Sequence, residues 1–172
     1  MPLAAATQTA RLMAFVLSLL AAVVAKAGDW IGDTRTGCKI WNPNPSPGET
    51  VKWTGPCKDG FAEGRGVLEW LREGRPYERD EGVWWAGRQI GEGTQTWPGG
   101  NYKGQLADGL PHGRGILVFG ASRYEGAFLN GRPNGSGALT SPSGTFQGSW
   151  RDGCFSDGER RAAIGVSVQS CP

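Results

Sequence analysis

The sequence predicts an all-β fold made of stacked β-hairpins. Three observations predict it: glycines recur at a fixed spacing, an Asp-Gly or Asn-Gly pair lies in the middle of most repeats, and apolar side chains alternate with polar ones around that pair. Self-similarity at a fixed period is typical of a repeat architecture. Asp-Gly and Asn-Gly favour two-residue hairpin turns, because both central residues of such a turn need a positive φ angle.

The stretch 124–137, YEGAFLNGRPNGSG, defines the repeat unit. Counting from its first glycine as position zero, an aromatic residue lies two residues earlier, and glycines follow five, nine and eleven residues later. The frame occurs five times, at intervals of 22 residues, except for 27 between units one and two. Unit two departs from it at Asp80, which replaces the aromatic residue, and unit five has Asp157 where a glycine is expected. The position-zero glycines of units one to five are Gly55, Gly82, Gly104, Gly126 and Gly148.

The alternation of side chains predicts how the units pack. Tyr124, Gly126 and Phe128 fall on one face of their strand, because successive side chains point to opposite faces. Each hairpin therefore presents aromatic rings beside bare glycine backbone, and such a glycine lets a ring lie flat on the strand. Because a single hairpin is marginally stable in water, we expect the units to stack and bury these rings.

The pattern of Tyr-x-Gly, a glycine five residues on, and Gly-x-Gly after four more resembles the MORN (membrane occupation and recognition nexus) repeat. The resemblance covers residues 53–153 and is closest in the stretches YKGQLADGLPHGRGILVF and YEGAFLNGRPNGSGAL. It implies an elongated, single-layer antiparallel sheet that is usually non-enzymatic. It also implies scaffolding, self-association or, as in some members, phospholipid contact.

Residues 1–27 predict a signal peptide. Arg11 precedes an apolar run over 12–24, and Ala25-Lys26-Ala27 follows as a small-residue cleavage site. The run is shorter than the ~20 residues that cross a bilayer. We therefore expect an exported, bacterial-type MORN repeat protein, periplasmic or secreted. The alternative is an uncleaved N-terminal segment that anchors the chain in the membrane.

The remaining chain divides into an N-terminal cap at 28–52, the repeat array at 53–153 and a C-terminal cap at 154–172. The cap segment NPNPSPG contains three prolines, so it predicts an extended loop that covers a sheet edge. A ligand-binding loop with Trp41 at its tip is the alternative. The charged insert 71–80 predicts a solvated loop or, alternatively, a contact site formed by its arginines. A short helix is expected near 157–163, followed by a strand at 163–170.

The four cysteines lie at the two ends of the array, and an even number of cysteines in an exported chain predicts disulfides. Of the three possible connectivities we favour Cys38–Cys57 with Cys154–Cys171, because each bond would close a short loop and staple one cap. A zinc site is not expected, because there is no C-x-x-C pair and His112 is the single histidine.

Charge and motifs exclude several function classes. The chain has a formal net charge of +2, and since Arg11 and Lys26 lie in the leader, the exported part is neutral. A neutral chain argues against nucleic-acid binding, which needs a basic surface. No serine lies in a G-x-S-x-G setting, and no pair of carboxylates is singled out by spacing. We expect a non-enzymatic protein without cofactor or metal.

The sequence therefore predicts a binding protein whose ladder of aromatic and glycine residues contacts a protein partner or a second copy of the chain. The alternatives are phospholipid binding through surface arginines and glycan binding through exposed tryptophans. Trp84 and Trp85 have opposite parity, so if Trp84 packs inward, Trp85 is the more exposed ring. The candidate binding residues are Trp84, Trp85, Trp97, Tyr102, Phe119, Tyr124, Phe128, Trp150, Arg114 and Arg132.

Overall fold

The structure, a computed structural model, describes residues 28–172. The signal peptide and the anchor expected at residues 1–27 lie outside the described residues. Fifteen strands and one short 3-10 helix, Val168–Ser170, make up the described part of the chain. The strands are β1 Asp29–Gly32, β2 Lys39–Asn42, β3 Glu49–Trp53, β4 Cys57–Lys58, β5 Phe61–Ala62, β6 Gly64–Arg72, β7 Arg75–Trp85, β8 Arg88–Trp97, β9 Gly100–Ala107, β10 Leu110–Phe119, β11 Ser122–Leu129, β12 Arg132–Ser141, β13 Gly144–Arg151, β14 Cys154–Ser156 and β15 Arg161–Ala163.

Eleven of these strands form one long antiparallel sheet in which chain neighbours are also spatial neighbours from β6 to β15, with β3 added beside β6 at one edge. The other four strands form a small sheet in the order β1-β2-β5-β4 beside the first unit. The predicted all-β, single-layer array of antiparallel hairpins is confirmed. The predicted disulfides Cys38–Cys57 and Cys154–Cys171 are both present, one at each end of the array.

The predicted hairpin turns form at the expected residues. In unit three, Asp108 and Gly109 have φ angles of 52° and 79°, the left-handed values that a two-residue hairpin turn requires. Ala86 adopts φ 45° in unit two, so this turn forms without an Asp or Asn residue. The same geometry recurs in the other three units.

The solvated loop predicted at 71–80 is wrong. Strands β6 and β7 continue through this segment and meet at a further turn, where Glu73 and Gly74 have φ angles of 52° and 75°. The extra residues therefore lengthen one hairpin and do not leave the sheet. The sequence signal for this was the Glu-Gly pair, which lacks the Asp or Asn that marks the other turns.

The glycines of each regular unit are covered by the unit's own aromatic ring. A Cβ atom on Gly137 would lie 2.1 Å from Tyr124 Oη, and one on Gly126 would lie 2.6 Å from the same atom. The tyrosine hydroxyl then donates a hydrogen bond of 3.1 Å to the carbonyl of Ala127. Tyr102 in unit three makes the same arrangement. The expectation that bare backbone makes room for rings is confirmed.

The buried side chains form two clusters. The N-terminal core holds Trp53, Trp70 and Trp84 with several aliphatic residues, and the C-terminal core holds the aromatic residues of units three to five. Between them runs a line of buried polar side chains, the polar seam. The seam consists of Asp80, Gln89 and Gln95.

The C-terminal cap differs from its prediction. The expected helix near 157–163 is wrong, because Asp157 closes a tight turn by accepting hydrogen bonds from the backbone and side chain of Arg160. The expected strand at 163–170 is also wrong: the last strand is β15, which ends at Ala163. β15 adds to the sheet beside β14, where Phe155 pairs with Ala162.

Candidate functional site

A central cleft of about 550 Å³ opens on the aromatic side of the array. Trp97 at the end of β8 and Phe119 at the end of β10 supply half-buried rings, and the turn Asn130–Gly131 with Arg132 forms one wall. Both caps reach it, the N-terminal cap through Asn44 and the C-terminal cap through Ile164 and Gly165. The cleft is therefore built from the middle of the repeat array and from both ends of the described chain.

The repeat pattern places the cleft rings. Trp97 and Phe119 occupy the same position of units two and three, fifteen residues after the position-zero glycine. Their side chains point to the core-facing side of β8 and β10, but they lie near the strand ends. Both therefore pack only partly against the C-terminal core and stay half-exposed. Tyr102, Leu117 and Phe128 complete the apolar floor.

Three of the eight predicted binding rings pack within the sheet and lie away from the cleft. Trp84, Tyr124 and Trp150 are each at most 1% exposed, and none of them lines the cleft. Tyr124 contacts the rings of Phe128 and Trp150 edge to face, with centroids 5.1 Å apart in each case. Trp84 packs on Trp53 in the N-terminal core at 4.6 Å. These rings are therefore part of the packed interior of the sheet.

Three predicted residues lie on other surfaces or walls. Trp85 is 63% exposed, as its parity relative to Trp84 predicts. Arg132 lines the central cleft, whereas Arg114 lines a cleft of about 590 Å³ on the opposite, outer face of the sheet. In that outer cleft Arg123 is paired with Glu125 at 2.6 Å, which reduces its free positive charge.

The alternative of a ligand-binding loop tipped by Trp41 is wrong. Trp41 lies in β2, and its backbone N–H donates to the carbonyl of Gly87 at 2.8 Å. The Arg88 guanidinium stacks on its ring at 4.3 Å. The prolines that follow turn the chain at unit three, where Pro43 lies against Gly109.

Two carboxylates in the N-terminal half, Asp80 and Asp33, have shifted pKa values. Burial and the neighbouring Glu78 raise the pKa of Asp80 well above its usual value, although Trp70 Nε1 donates to it at 2.7 Å. Burial also acts on Asp33, but hydrogen bonds from Arg35 and from the backbone N–H groups of Trp53 and Arg35 outweigh it and lower the pKa to about 2. Asp80 is 3% exposed, so it is out of reach of a bound molecule.

Sequence reasoning missed the polar and backbone part of the cleft. Gln95, Asn44 and Gly131 line it, and none of them was a candidate. Gln95 stands at a repeat position that holds leucine in units one, three and four, and this replacement was a detectable signal. The contribution of the caps had no sequence signal, because it depends on contacts between residues that are distant in the chain.

The described residues include no group of three or more His, Cys, Asp and Glu side chains arranged to hold a metal ion. Likewise, no helix within residues 28–172 has the length and apolar character needed to cross a bilayer. The arrangement at the central cleft is that of a binding surface: apolar rings, amide groups, one arginine and backbone carbonyls.

These features define a β-hairpin repeat protein with a central cleft that both caps help to line. Four stretches of the sequence, residues 58–70, 81–101, 102–120 and 124–146, match the MORN repeat, and the chain belongs to the MORN repeat family. The matches fall on units one to four. Comparison with curated proteins gives no match. MORN repeats are associated with protein or membrane-lipid interactions, and the fold of this chain is consistent with an interaction module.

Proposed function

We propose that the chain is a non-enzymatic scaffolding module that binds a protein partner in the central cleft. The cleft itself carries the proposal: its floor is apolar, its Trp97 and Phe119 rings are half-exposed, and its wall holds Arg132. Aromatic side chains and arginine are the usual anchors of protein interfaces. The volume of about 550 Å³ suits the insertion of several side chains.

We further propose that the protein acts outside the cytoplasm, in the periplasm or after secretion. The two disulfides support an oxidising environment, because such bonds persist mainly in exported proteins. A signal peptide at residues 1–27 would deliver the chain there. Analysis of the N-terminal residue of the protein recovered from culture tests this: cleavage after Ala27 is expected, and an intact Met1 would support the anchored alternative.

A charge-reversal pair tests the cleft. Tagged protein is cross-linked in its own cell envelope, recovered and examined by mass spectrometry, with Arg132→Glu in the cleft compared with Arg114→Glu on the outer face. One reproducible partner protein, lost with Arg132→Glu and kept with Arg114→Glu, is the expected result. Thermal unfolding of both variants should match that of the original chain, because exposed substitutions rarely change stability by more than about 0.5 kcal/mol.

The other outcomes identify other functions. Recovery of the protein alone would replace the hetero-partner by self-association. Loss of binding only with Trp85→Ala would favour an exposed-ring surface such as a glycan site. Either result would overturn the proposed cleft function.

Phospholipid binding is the second candidate, and the outer cleft favours it. Arg114 and Arg123 line this cleft together with Ser136 and Ser149, and these side chains can donate hydrogen bonds to a phosphate group. The neutral exported chain argues against it, because attraction to anionic lipid grows with local positive charge. Co-sedimentation with phosphatidylserine vesicles that is lost with Arg114→Glu and with added salt would establish it.

A further inference from the structure

The glycines in the hairpin turns present a row of carbonyl groups along one edge of the array. Extended segments of the caps cross this row and donate backbone hydrogen bonds to it. Lys39 N donates to Gly60 O at 2.8 Å in unit one, and Trp41 N donates to Gly87 O at 2.8 Å in unit two. At the other end, Ile164 N donates to Gly153 O at 2.9 Å in unit five.

Units three and four lack such a crossing strand. Residue 43 would be the next donor after Lys39 and Trp41, but it is a proline and has no N–H. In unit three the side chain of Gln95 supplies the donor instead: its Nε2 donates to Gly109 O at 2.9 Å. In unit four, no residue between 28 and 172 donates a hydrogen bond to the carbonyl of Gly131. Gly131 lines the central cleft.

Unit two shows what occupies such a position when a strand crosses it. Trp41 donates its N–H to Gly87 O, and its ring stacks on Arg88, the residue that follows Gly87. In unit four, Arg132 follows Gly131 at the same repeat positions. Unit four therefore repeats the acceptor and the guanidinium of unit two without the strand that covers them.

We propose that Gly131 and Arg132 bind an extended peptide segment of the partner that carries an aromatic residue. The backbone N–H of this residue donates to Gly131 O, and its ring stacks on Arg132 as Trp41 stacks on Arg88. Side chains one residue away enter the cleft beside Trp97 and Phe119. Within β2 the side chain of Ile40, next to Trp41, is buried in the same way at 1% exposure.

This inference rests on the proposed function, namely that the central cleft binds a protein, and it adds the class of partner and the mode of contact. The mode is β-strand addition, in which backbone hydrogen bonds supply affinity and alternate side chains supply specificity. The chain already uses this mode for its own caps. An aromatic residue in an extended strand is therefore the recognition element that the unit four turn selects.

The test uses a probe peptide copied from the protein itself. The peptide Ser-Lys-Ile-Trp-Asn, blocked at both ends, reproduces residues 38–42 with serine in place of the cysteine. Protein labelled with carbonyl-¹³C glycine and ¹⁵N arginine gives one HNCO resonance for each Gly-Arg pair. These pairs are Gly64–Arg65, Gly74–Arg75, Gly87–Arg88, Gly113–Arg114 and Gly131–Arg132.

On titration of the probe to millimolar concentration, the Gly131–Arg132 resonance is expected to shift in its carbonyl dimension, because the carbonyl gains a donor. The Gly87–Arg88 resonance is the internal control, since its carbonyl is already bonded to Trp41, and it should stay in place. A probe with N-methyl tryptophan lacks the donor and should bind about tenfold more weakly. Arg132→Ala should also weaken binding, whereas Arg114→Ala should not.

The outcomes separate the two proposals. Binding that moves the Arg132 amide but leaves the Gly131 carbonyl in place, with no effect of N-methylation, would overturn strand addition and keep the cleft as a protein site. No shift at any Gly-Arg pair would overturn the peptide as occupant, while the pull-down with Arg132→Glu decides the cleft function independently. A shift confined to Gly87–Arg88 or Gly113–Arg114 would overturn the assignment to unit four.

Discussion

The N-terminal and C-terminal cores show two ways of filling the same repeat. In the C-terminal core, units three and four each bury an aromatic ring over their own glycine pair, and rings of neighbouring units contact one another edge to face. In the N-terminal core, unit two has Asp80 at the equivalent position. Trp70 Nε1 donates a hydrogen bond to the Asp80 carboxylate. A crossing strand and a disulfide then hold the irregular half. The comparison shows that the backbone hydrogen bonds of the hairpins define the array, whereas the aromatic residue two positions before the position-zero glycine can be replaced.

The replacement in unit two is a set of coordinated changes. Asp80, Gln89 and Gln95 stand where unit four has Tyr124, Pro133 and Leu139. The side-chain amide of Gln95 donates hydrogen bonds to Gln89 and to the carbonyl of Gly109. Part of the buried polar seam is therefore hydrogen-bonded. The price is one buried oxygen, Asp80 Oδ1, that has no hydrogen-bond partner among the described residues.

The largest expected effect comes from comparing Tyr124 in unit four with Asp80, which occupies the same repeat position in unit two. Tyr124→Ala should lower the free energy of unfolding by about 3–5 kcal/mol, because it empties a space between Phe128 and Trp150. Asp80→Ala should cost about 1–3 kcal/mol at most, mainly through the unpaired Trp70 Nε1. Denaturant unfolding measures both. Equal losses in the free energy of unfolding would contradict the view that unit two does not need an aromatic residue at this position.

The second prediction compares the two staples. The disulfides span similar sequence separations, 19 residues for Cys38–Cys57 and 17 for Cys154–Cys171. Replacing both cysteines of either pair by alanine should therefore destabilise the protein by a similar amount, about 3 kcal/mol in the loop-entropy view. Thermal and denaturant unfolding of the two double variants measure this. A neutral result at one end would show that its cap is held by other contacts.

The third prediction uses glycines at position zero. Gly126→Ala should cost about 1–3 kcal/mol, because its Cβ would lie 2.5 Å from the Gly137 Cα and 2.6 Å from Tyr124 Oη. Gly82→Ala in unit two meets no ring, and its nearest atom is Gln89 Nε2 at 3.1 Å, so its cost should be below about 1 kcal/mol. The reverse order, measured by urea unfolding, would show that the ring does not select the glycine.

The smallest effect concerns pH. The folded state raises the pKa of Asp80 by burial and by the neighbouring Glu78, so folded protein holds this proton to higher pH than unfolded protein does. The associated stability is present at acidic pH and is lost as pH rises from the unfolded value through the folded one. Asp80→Asn should therefore gain stability relative to the original chain as pH rises.

Unfolding measured in parallel at acidic and neutral pH tests this difference. The lowered pKa values of Asp33 and Glu49 act in the opposite direction, since their stabilisation is lost as pH falls. They are present in both proteins and cancel in the comparison. A stability difference between the variant and the original chain that does not change with pH would contradict the raised pKa of Asp80.

The site was predictable only in part. The rings of Trp97, Tyr102, Phe119 and Phe128 were candidates from parity, and all four line the cleft. Parity did not separate the half-exposed rings of Trp97 and Phe119 from four other inward rings, which are at most 3% exposed, because burial on the inward face depends on what covers the side chain. The four buried rings are those of Tyr102, Tyr124, Phe128 and Trp150. The phospholipid hypothesis also grouped Arg114 and Arg132 as surface arginines, although they line clefts on opposite faces.

The sequence alone determined the repeat frame, the hairpin turns and the inward parity, because these depend on local φ angles and on side-chain alternation. It favoured one of three cysteine pairings because each bond closes a short loop, and the structure shows that pairing. The tertiary structure decided which rings remain accessible, that the insert is a longer hairpin and that both caps meet at one cleft. It also decided that the carbonyl of Gly131 receives no donor from residues 28–172. Such features depend on contacts between residues distant in the chain, and the repeat pattern is the same in units that have those contacts and in units that lack them.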